Sequence, residues 1–221
     1  MKISDIQVTP IHPERWGNDL DVVNAARVSF HKVSEEFTEK DAKLINYLAK
    51  HKHFSPFNHS FISVRVKAPI FVARQLVKHK FMPWNEVSRR YVDEEPEFYI
   101  PEWRAKADNA KQGSSDDVVQ GIWFPRVDYG NTGDFEDYLE ICLAGYNNLL
   151  RLNVAPEVAR AALPQNIMTE WIWSGTLGAF CDMLKLRLDP HTQYESRIVA
   201  NKIKELIEPV FPVSIKARLE N

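Results

Sequence analysis

A chain of 221 residues, 44% of them hydrophobic, is long enough to bury one substantial core, and a single catalytic domain over 1–221 is the expectation. The 28 Lys plus Arg are balanced by 30 Asp plus Glu, and a net charge of -2 excludes a global attraction to nucleic acid or anionic lipid, so any anion site must be local. No apolar run approaches the ~20 residues that cross a bilayer, and MKISDIQVTP lacks a signal-peptide pattern, so a cytoplasmic protein is expected.

Asn18 is placed to cap a helix running to about Val28. Thr38 and Asp41 have capping-box spacing for a second helix, with Leu44, Ile45 and Leu48 on one face. His51, His53 and His59 follow, but an H-x-H pair with a third His six residues on and no clustered carboxylates matches no standard metal spacing, so no metal is expected. SPFNH then reads as a turn. Ile62 to Lys67 alternates apolar and polar residues, the period of a half-buried strand. Pro69 suits the first turn of a helix reaching about Lys80, which puts Arg74 and Lys78 on one face with Gln75 and His79 beside them.

The stretch KHKFMPWNEVSRRY gathers cations, a His, an Asn and a Ser around Pro83-Trp84. Lys78-His79-Lys80 alone reads as a solvated basic helix end complementing the macrodipole. With Asn85, Glu86, Ser88, Arg89, Arg90 and Tyr91 beyond the break, the density suits a phosphate-bearing ligand. If that segment is extended, Ser88 and Arg90 share a face; the bland alternative is a salt-bridged strand edge.

From Asp93 to Gly133 the chain is polar and irregular, with isolated aromatics at Trp103, Trp123 and Tyr129, and reads as a long surface excursion. Helical periodicity resumes from Phe135 to Leu150, then Pro156–Leu163, Leu177–Leu188 and Thr192 to about Ile207, with a strand near Ile167–Trp173. A few strands among dominant helices without regular alternation give an α+β class, helix-rich with a small sheet. Arg160 and Arg187 sit in otherwise apolar helices and need partners, for which Glu195 and Asp189 are the nearest choices, or a bound anion. Cys142 and Cys181 have no CxxC spacing and no nearby His, so both read as buried structural thiols, and Trp171 and Trp173 as packing residues.

Lys78-His79-Lys80, seven residues and Ser88 resemble the signature of the flavin-dependent thymidylate synthases, Arg-His-Arg, seven residues, Ser. NDLDVVNAARVSF, HKHFSPFNHSFISVRVKAPIFVARQ, NEVSRRY, EFYIP, PEVARAALP and LRLDPHTQYE resemble further family segments in order, so that the resemblance spans nearly the whole chain, with 93–133, apart from EFYIP, its main exception. The resemblance implies a fold particular to that family, a homotetramer with shared active sites, and a required FAD. It implies that NADPH reduces the flavin, that methylenetetrahydrofolate donates the carbon, and that dUMP becomes dTMP without a cysteine nucleophile. It places His53, Ser55, Lys78, His79, Lys80, Asn85 and Glu86 on FAD. Gln75, Ser88, Arg90, Arg160 and Arg187 fall on dUMP, with Arg187 the chief catalytic group against the N3/O2 side of uracil and Ser88 positioning the substrate.

Departures from the family pattern are specific. Two lysines replace the signature arginines and lose the bidentate fork. Thr176, Gly178 and Asp182 stand where members commonly carry Asn-x-Arg and a later Asn, so an altered flavin contact at Asp182 is expected, and Asn58 replaces a commonly acidic residue. Two rivals remain: a related flavin enzyme adding another one-carbon group such as hydroxymethyl, and a single-stranded nucleic-acid module stacking bases on Trp84 and Tyr91, which the acidic total disfavours.

Overall fold

The computed structural model describes residues 1–91, 94–108, 113–125 and 132–221. Its elements run in the order β1 (Lys2–Ile3), β2 (Gln7–Pro10), α1 (Asp19–Arg27), α2 (Glu39–Lys50), β3 (Phe61–Pro69), α3 (Ile70–Leu76), β4 (Trp84–Glu86) and β5 (Glu97–Phe98). Then follow β6 (Arg104–Lys106), β7 (Ser114–Val118), β8 (Phe124–Pro125), β9 (Thr132–Gly133), α4 (Phe135–Arg151) and α5 (Pro156–Ala159). The chain finishes with β10 (Met168–Thr176), α6 (Leu177–Arg187), α7 (Tyr194–Ile207) and α8 (Pro212–Glu220). The α+β class holds.

The central sheet is antiparallel throughout, in the order β2-β3-β10-β4. One face is apolar over most of its area: Ile62, Val64, Val66 and Ala68 of β3 and Trp171 and Trp173 of β10 are all buried there, with Thr169 and Glu86 as its polar members toward β4. Helices α3, α6 and α7 cover that face. Its other face is polar, with Arg65 paired to Glu170 at 2.6 Å and the Ser63 and Ser174 hydroxyls 2.8 Å apart. Trp84 stacks on Trp171 at 4.3 Å between centroids, which anchors the short β4 to the sheet. The tryptophans are therefore packing residues, as their sequence setting suggests.

Several local expectations hold. The Asn18 side chain accepts from Leu20 N–H, and the Asp41 carboxylate accepts from the Thr38 N–H at 2.8 Å, closing the two caps. Others need correction. Helix α3 stops at Leu76, so Lys78, His79 and Lys80 lie in a turn beyond it and not on a helix end. Tertiary pairing is the reason: the chain must double back so that the Pro83 carbonyl accepts from Ser174 N–H and β4 joins β10. The 93–133 excursion is more ordered than its composition suggests, because β6 pairs with β7 and β8 with β9; Asp93 and Tyr129 lie outside the described residues. Helix α7 starts two residues later than expected, and α8, β1 and β2 carried no usable periodicity.

Among the described residues no helix is long and apolar enough to cross a membrane, and no three His, Cys, Asp or Glu groups are placed to hold a metal ion. Cys181 is buried, and burial pushes its thiol up to about 12, too high to supply a thiolate; Cys142 is only half-buried, beside Tyr138.

Candidate active site

Arg187 ends α6 with its guanidinium committed on two sides. Its Nε donates to His79 Nε2 at 2.9 Å, and Nη2 donates to the Gln75 carbonyl at 3.2 Å. Neither Glu195 nor Asp189 is its partner, contrary to the sequence expectation: Glu195 accepts from Gln193, and Asp189 accepts from His191. Accepting from Arg187 requires a neutral imidazole. Burial, reinforced by the Arg187 charge, accordingly lowers His79 to about 4. Burial also lowers the pKa of Arg187. The result is a cation of fixed direction whose remaining N–H groups have no partner among the described residues and can meet an electron-rich atom.

The sign of the His79 shift has a stability consequence. The unfolded chain binds a proton near pH 6.5 that the folded chain refuses until about pH 4, so His79 contributes stability above 6.5 that is lost as the pH falls through that window. His79→Asn keeps an acceptor but no titrating group, and its Tm should fall less than wild type between pH 6.5 and 4. Parallel Tm curves for the two proteins would reject this account.

The Gln75 side chain is gripped at both ends by the start of α7. Its Nε2 donates to Gln193 Oε1, and its Oε1 accepts from Ser196 Oγ at 3.2 Å; Gln193 in turn donates to the buried Glu195 carboxylate at 3.0 Å. Gln193 and Ser196 were missed from sequence, although both lie in or just after LRLDPHTQYE. The only available signal was a run of hydrogen-bonding side chains at a helix start. Gln75, Arg187 and Gln193 line a cleft of about 610 Å³, whose far wall is Glu102, Trp103, Arg104, Gly113 and Ser114.

A second cleft, of about 350 Å³, brings Glu86 and Arg160 together with Arg74, Arg89 and Thr169. Glu86 is fixed there by Thr169 Oγ1 at 2.9 Å and by the Trp84 indole N–H at 3.1 Å. Arg160 is exposed, with its Nε on the Glu157 carbonyl, so it is not the embedded charge that its apolar neighbours implied. Ser88 and Arg90 line neither cleft. They belong to a turn closed by Tyr91 N–H on the Ser88 carbonyl, not to an extended segment, yet Arg90 Nε still reaches Ser88 Oγ at 3.2 Å. Asn85, on β4, is exposed opposite Ile172.

Lys78 and Lys80 are exposed on either side of the half-buried His79 and have no ion-pair partner among the described residues. The next residue, Phe81, is 90% exposed and held at φ 61°, a left-handed backbone unfavourable for an aromatic residue. The turn thus presents two cations to solvent, without a carboxylate partner among the described residues.

The remaining expected cofactor residues lie around the 3₁₀ turn Ser55–Asn58. His53 and Ser55 are exposed, His53 near the Tyr47 and His51 rings. Asp182 accepts from Arg218 Nη2 at 2.5 Å, and Arg218 is buried over the Phe54 ring at 4.6 Å. Its negative charge is thereby offset. Asp182 and Arg187 are five residues apart on α6, ~140° around the helix, which puts them on different faces.

Thr176, Gly178 and Asn58 form one arrangement. Thr176 Oγ1 donates to Asn58 Oδ1 at 2.8 Å, and a Cβ at Gly178 would lie 2.3 Å from that same oxygen. Any side chain at 178 must displace Asn58, so these departures from the family pattern are coupled. Ala is intrinsically better than Gly in a helix by ~1 kcal/mol. Gly178→Ala should therefore be near neutral in wild type but stabilising by about 1 kcal/mol in an Asn58→Ala background, read from urea denaturation. Equal effects in both backgrounds would refute the coupling.

Residues 14–213 match the family model described as thymidylate synthase complementing protein. Flavin-dependent thymidylate synthase from Kosmotoga olearia is 37% identical over 209 residues, covering 93% of this chain and 87% of that protein. Its counterpart from Thermus thermophilus is 37% identical over 202 residues, covering 91% and 72%. A crystal structure of the UMP/dUMP methylase PolB from Streptomyces cacaoi, bound with 5-Br dUMP, superposes with a TM-score of 0.78 at 27% identity, covering 98% of this chain and 96% of that one.

Proposed function

The chain belongs to the flavin-dependent thymidylate synthase family, and we propose that it converts dUMP to dTMP with methylenetetrahydrofolate as carbon donor and NADPH as reductant. The observation that carries this reading is the Arg187 guanidinium, aimed into a cleft by neutral His79 and the Gln75 carbonyl. Against the N3/O2 edge of uracil, Arg187 stabilises negative charge on the base, which makes the ring carbons easier to alkylate and reduce. Gln75 keeps donor capacity beyond its Gln193 contact for orienting the nucleotide. Arg160, Arg90 and Ser88 supply cations and a hydroxyl for the phosphate and sugar.

FAD is the family's cofactor, and the hydride chemistry it supplies when bound replaces the folate-derived hydride used by cysteine-dependent enzymes. Lys78 and Lys80 would hold its diphosphate, with His53, Ser55, Asn85 and Glu86 around it. Asp182, neutralised by Arg218, is tolerated beside an anion. Burial pushes the Cys181 thiol up to about 12, which disfavours that residue as a thiolate nucleophile.

We infer a homotetramer with shared sites. Within one chain the implied residues fall into separate patches: Gln75 and Arg187 in one cleft, Glu86 and Arg160 in another, Ser88 and Arg90 on a turn outside both. Exposed Phe81 supports burial against a second copy.

The direct test is spectroscopic and then chemical. Purified protein with FAD should show bound-flavin absorption that anaerobic NADPH bleaches, and addition of dUMP and methylenetetrahydrofolate should yield a product about 14 mass units heavier than dUMP, the increment of a CH₂. A hydroxymethyl product would redirect the reading to the related enzyme class, and a protein that binds no flavin would reject it. UMP assayed in parallel tests whether the chain shares the breadth in PolB's description.

A further inference from the structure

We propose that Arg104, at the start of β6, is a positioning residue for the nucleotide cleft, acting through Tyr194 on the Gln75 amide. The inference rests on reading that cleft as the dUMP site. The β6–β7 hairpin lies between the EFYIP and PEVARAALP segments, outside the quoted motifs, yet it builds a wall of the cleft that holds Gln75 and Arg187.

Arg104 is locked in place. Its Nη2 donates to Glu102 at 2.5 Å and Nη1 to Asp116 at 3.0 Å, and its side chain is only 12% exposed. The guanidinium carbon sits 3.7 Å from the centroid of the Tyr194 ring, close enough for a stacked cation on an aromatic face. Two carboxylates thus hold a flat cation against one ring.

Tyr194 is the first residue of α7, and its neighbours Gln193 and Ser196 are the two residues that grip the Gln75 amide. A second contact fixes the hairpin to the same segment: Gly113 has φ +92°, and a Cβ there would lie 2.9 Å from the His191 carbonyl oxygen. The hairpin therefore presses on residues 191–194 at two points, and the segment it presses on sets the orientation of Gln75. Arg104 makes and breaks no bond in the reaction. Its loss should leave Gln75 free to rotate and weaken nucleotide binding equally in ground and transition states, raising KM with kcat retained.

The experiment uses the full-length, flavin-loaded protein and the variants Arg104→Met, Tyr194→Leu and the double. Each single change should raise the dUMP Kd, measured by calorimetry, and KM by about tenfold, with kcat within about twofold and the flavin absorption spectrum unchanged. Because Arg104 acts through the Tyr194 ring, the double variant should be no worse than Tyr194→Leu, which also loses the longer Arg197 contact at 5.7 Å. Arg104→Lys should recover little, since lysine has no plane to stack. Unchanged Kd and KM, or effects that multiply in the double variant, overturn the inference. Tyr194→Leu leaves both Arg104 ion pairs in place and carries the test alone should Arg104→Met fail to fold. Wild-type protein that binds no dUMP overturns the functional reading together with this one, whereas wild-type binding with indifferent variants overturns this one only.

Discussion

Arg187→Ala is expected to lower dTMP formation by about 100- to 1,000-fold while flavin stays bound, the loss typical of removing one preorganised donor from developing negative charge. The guanidinium is held by His79 and Gln75 before any substrate arrives, so little reorganisation is needed when charge builds on uracil. Partial burial strengthens that interaction over its value in water. Nothing places Arg187 against the Lys78 and Lys80 side chains that would hold the flavin, so the absorption spectrum serves as the control for folding and loading. Arg187→Lys should recover only a fraction of the rate, because a point charge cannot hold His79 and the base together. Near-normal turnover of Arg187→Ala under single-turnover conditions would remove this residue from the chemistry.

Replacing both Lys78 and Lys80 with Ala should weaken FAD binding by at least about 100-fold, taking ~1.5 kcal/mol as the lower value of each charge-assisted contact to phosphate. Both side chains are exposed and have no carboxylate partners among the described residues. Stability should thus change by no more than about 0.5 kcal/mol. Fluorescence titration of FAD alongside thermal unfolding separates the two effects. An FAD Kd within about threefold of wild type would place the diphosphate elsewhere, and a large fall in Tm would make the lysines structural.

Local chemistry was legible wherever the responsible contacts lie within a few residues. Asn18 and the Thr38/Asp41 pair cap α1 and α2 through bonds spanning two or three positions, and the alternation from Ile62 to Lys67 marks β3 because the core-facing side of that strand is apolar. The chemistry-bearing residues around Lys78–Arg90 were also legible, since their density exceeds what a solvated loop requires. Helix α8 was not. It is short, and it buries Ser214 and Arg218 beside Ile215 and Ala217, so no clean apolar stripe exists to be read.

The sequence by itself determined the fold class, the family, the caps and strand period, and the identities of the charged groups. Only the tertiary structure decided what those groups face. Helix α3 ends at Leu76 because β4 must reach β10, which frees Lys78 and Lys80 and turns His79 inward. Arg187 meets His79 and Gln75 across more than a hundred residues, and Asn58 occupies the space that Gly178 leaves. Periodicity and capping are local properties of a chain, whereas a partner for a buried charge is chosen by whichever distant segments packing brings within about 3 Å.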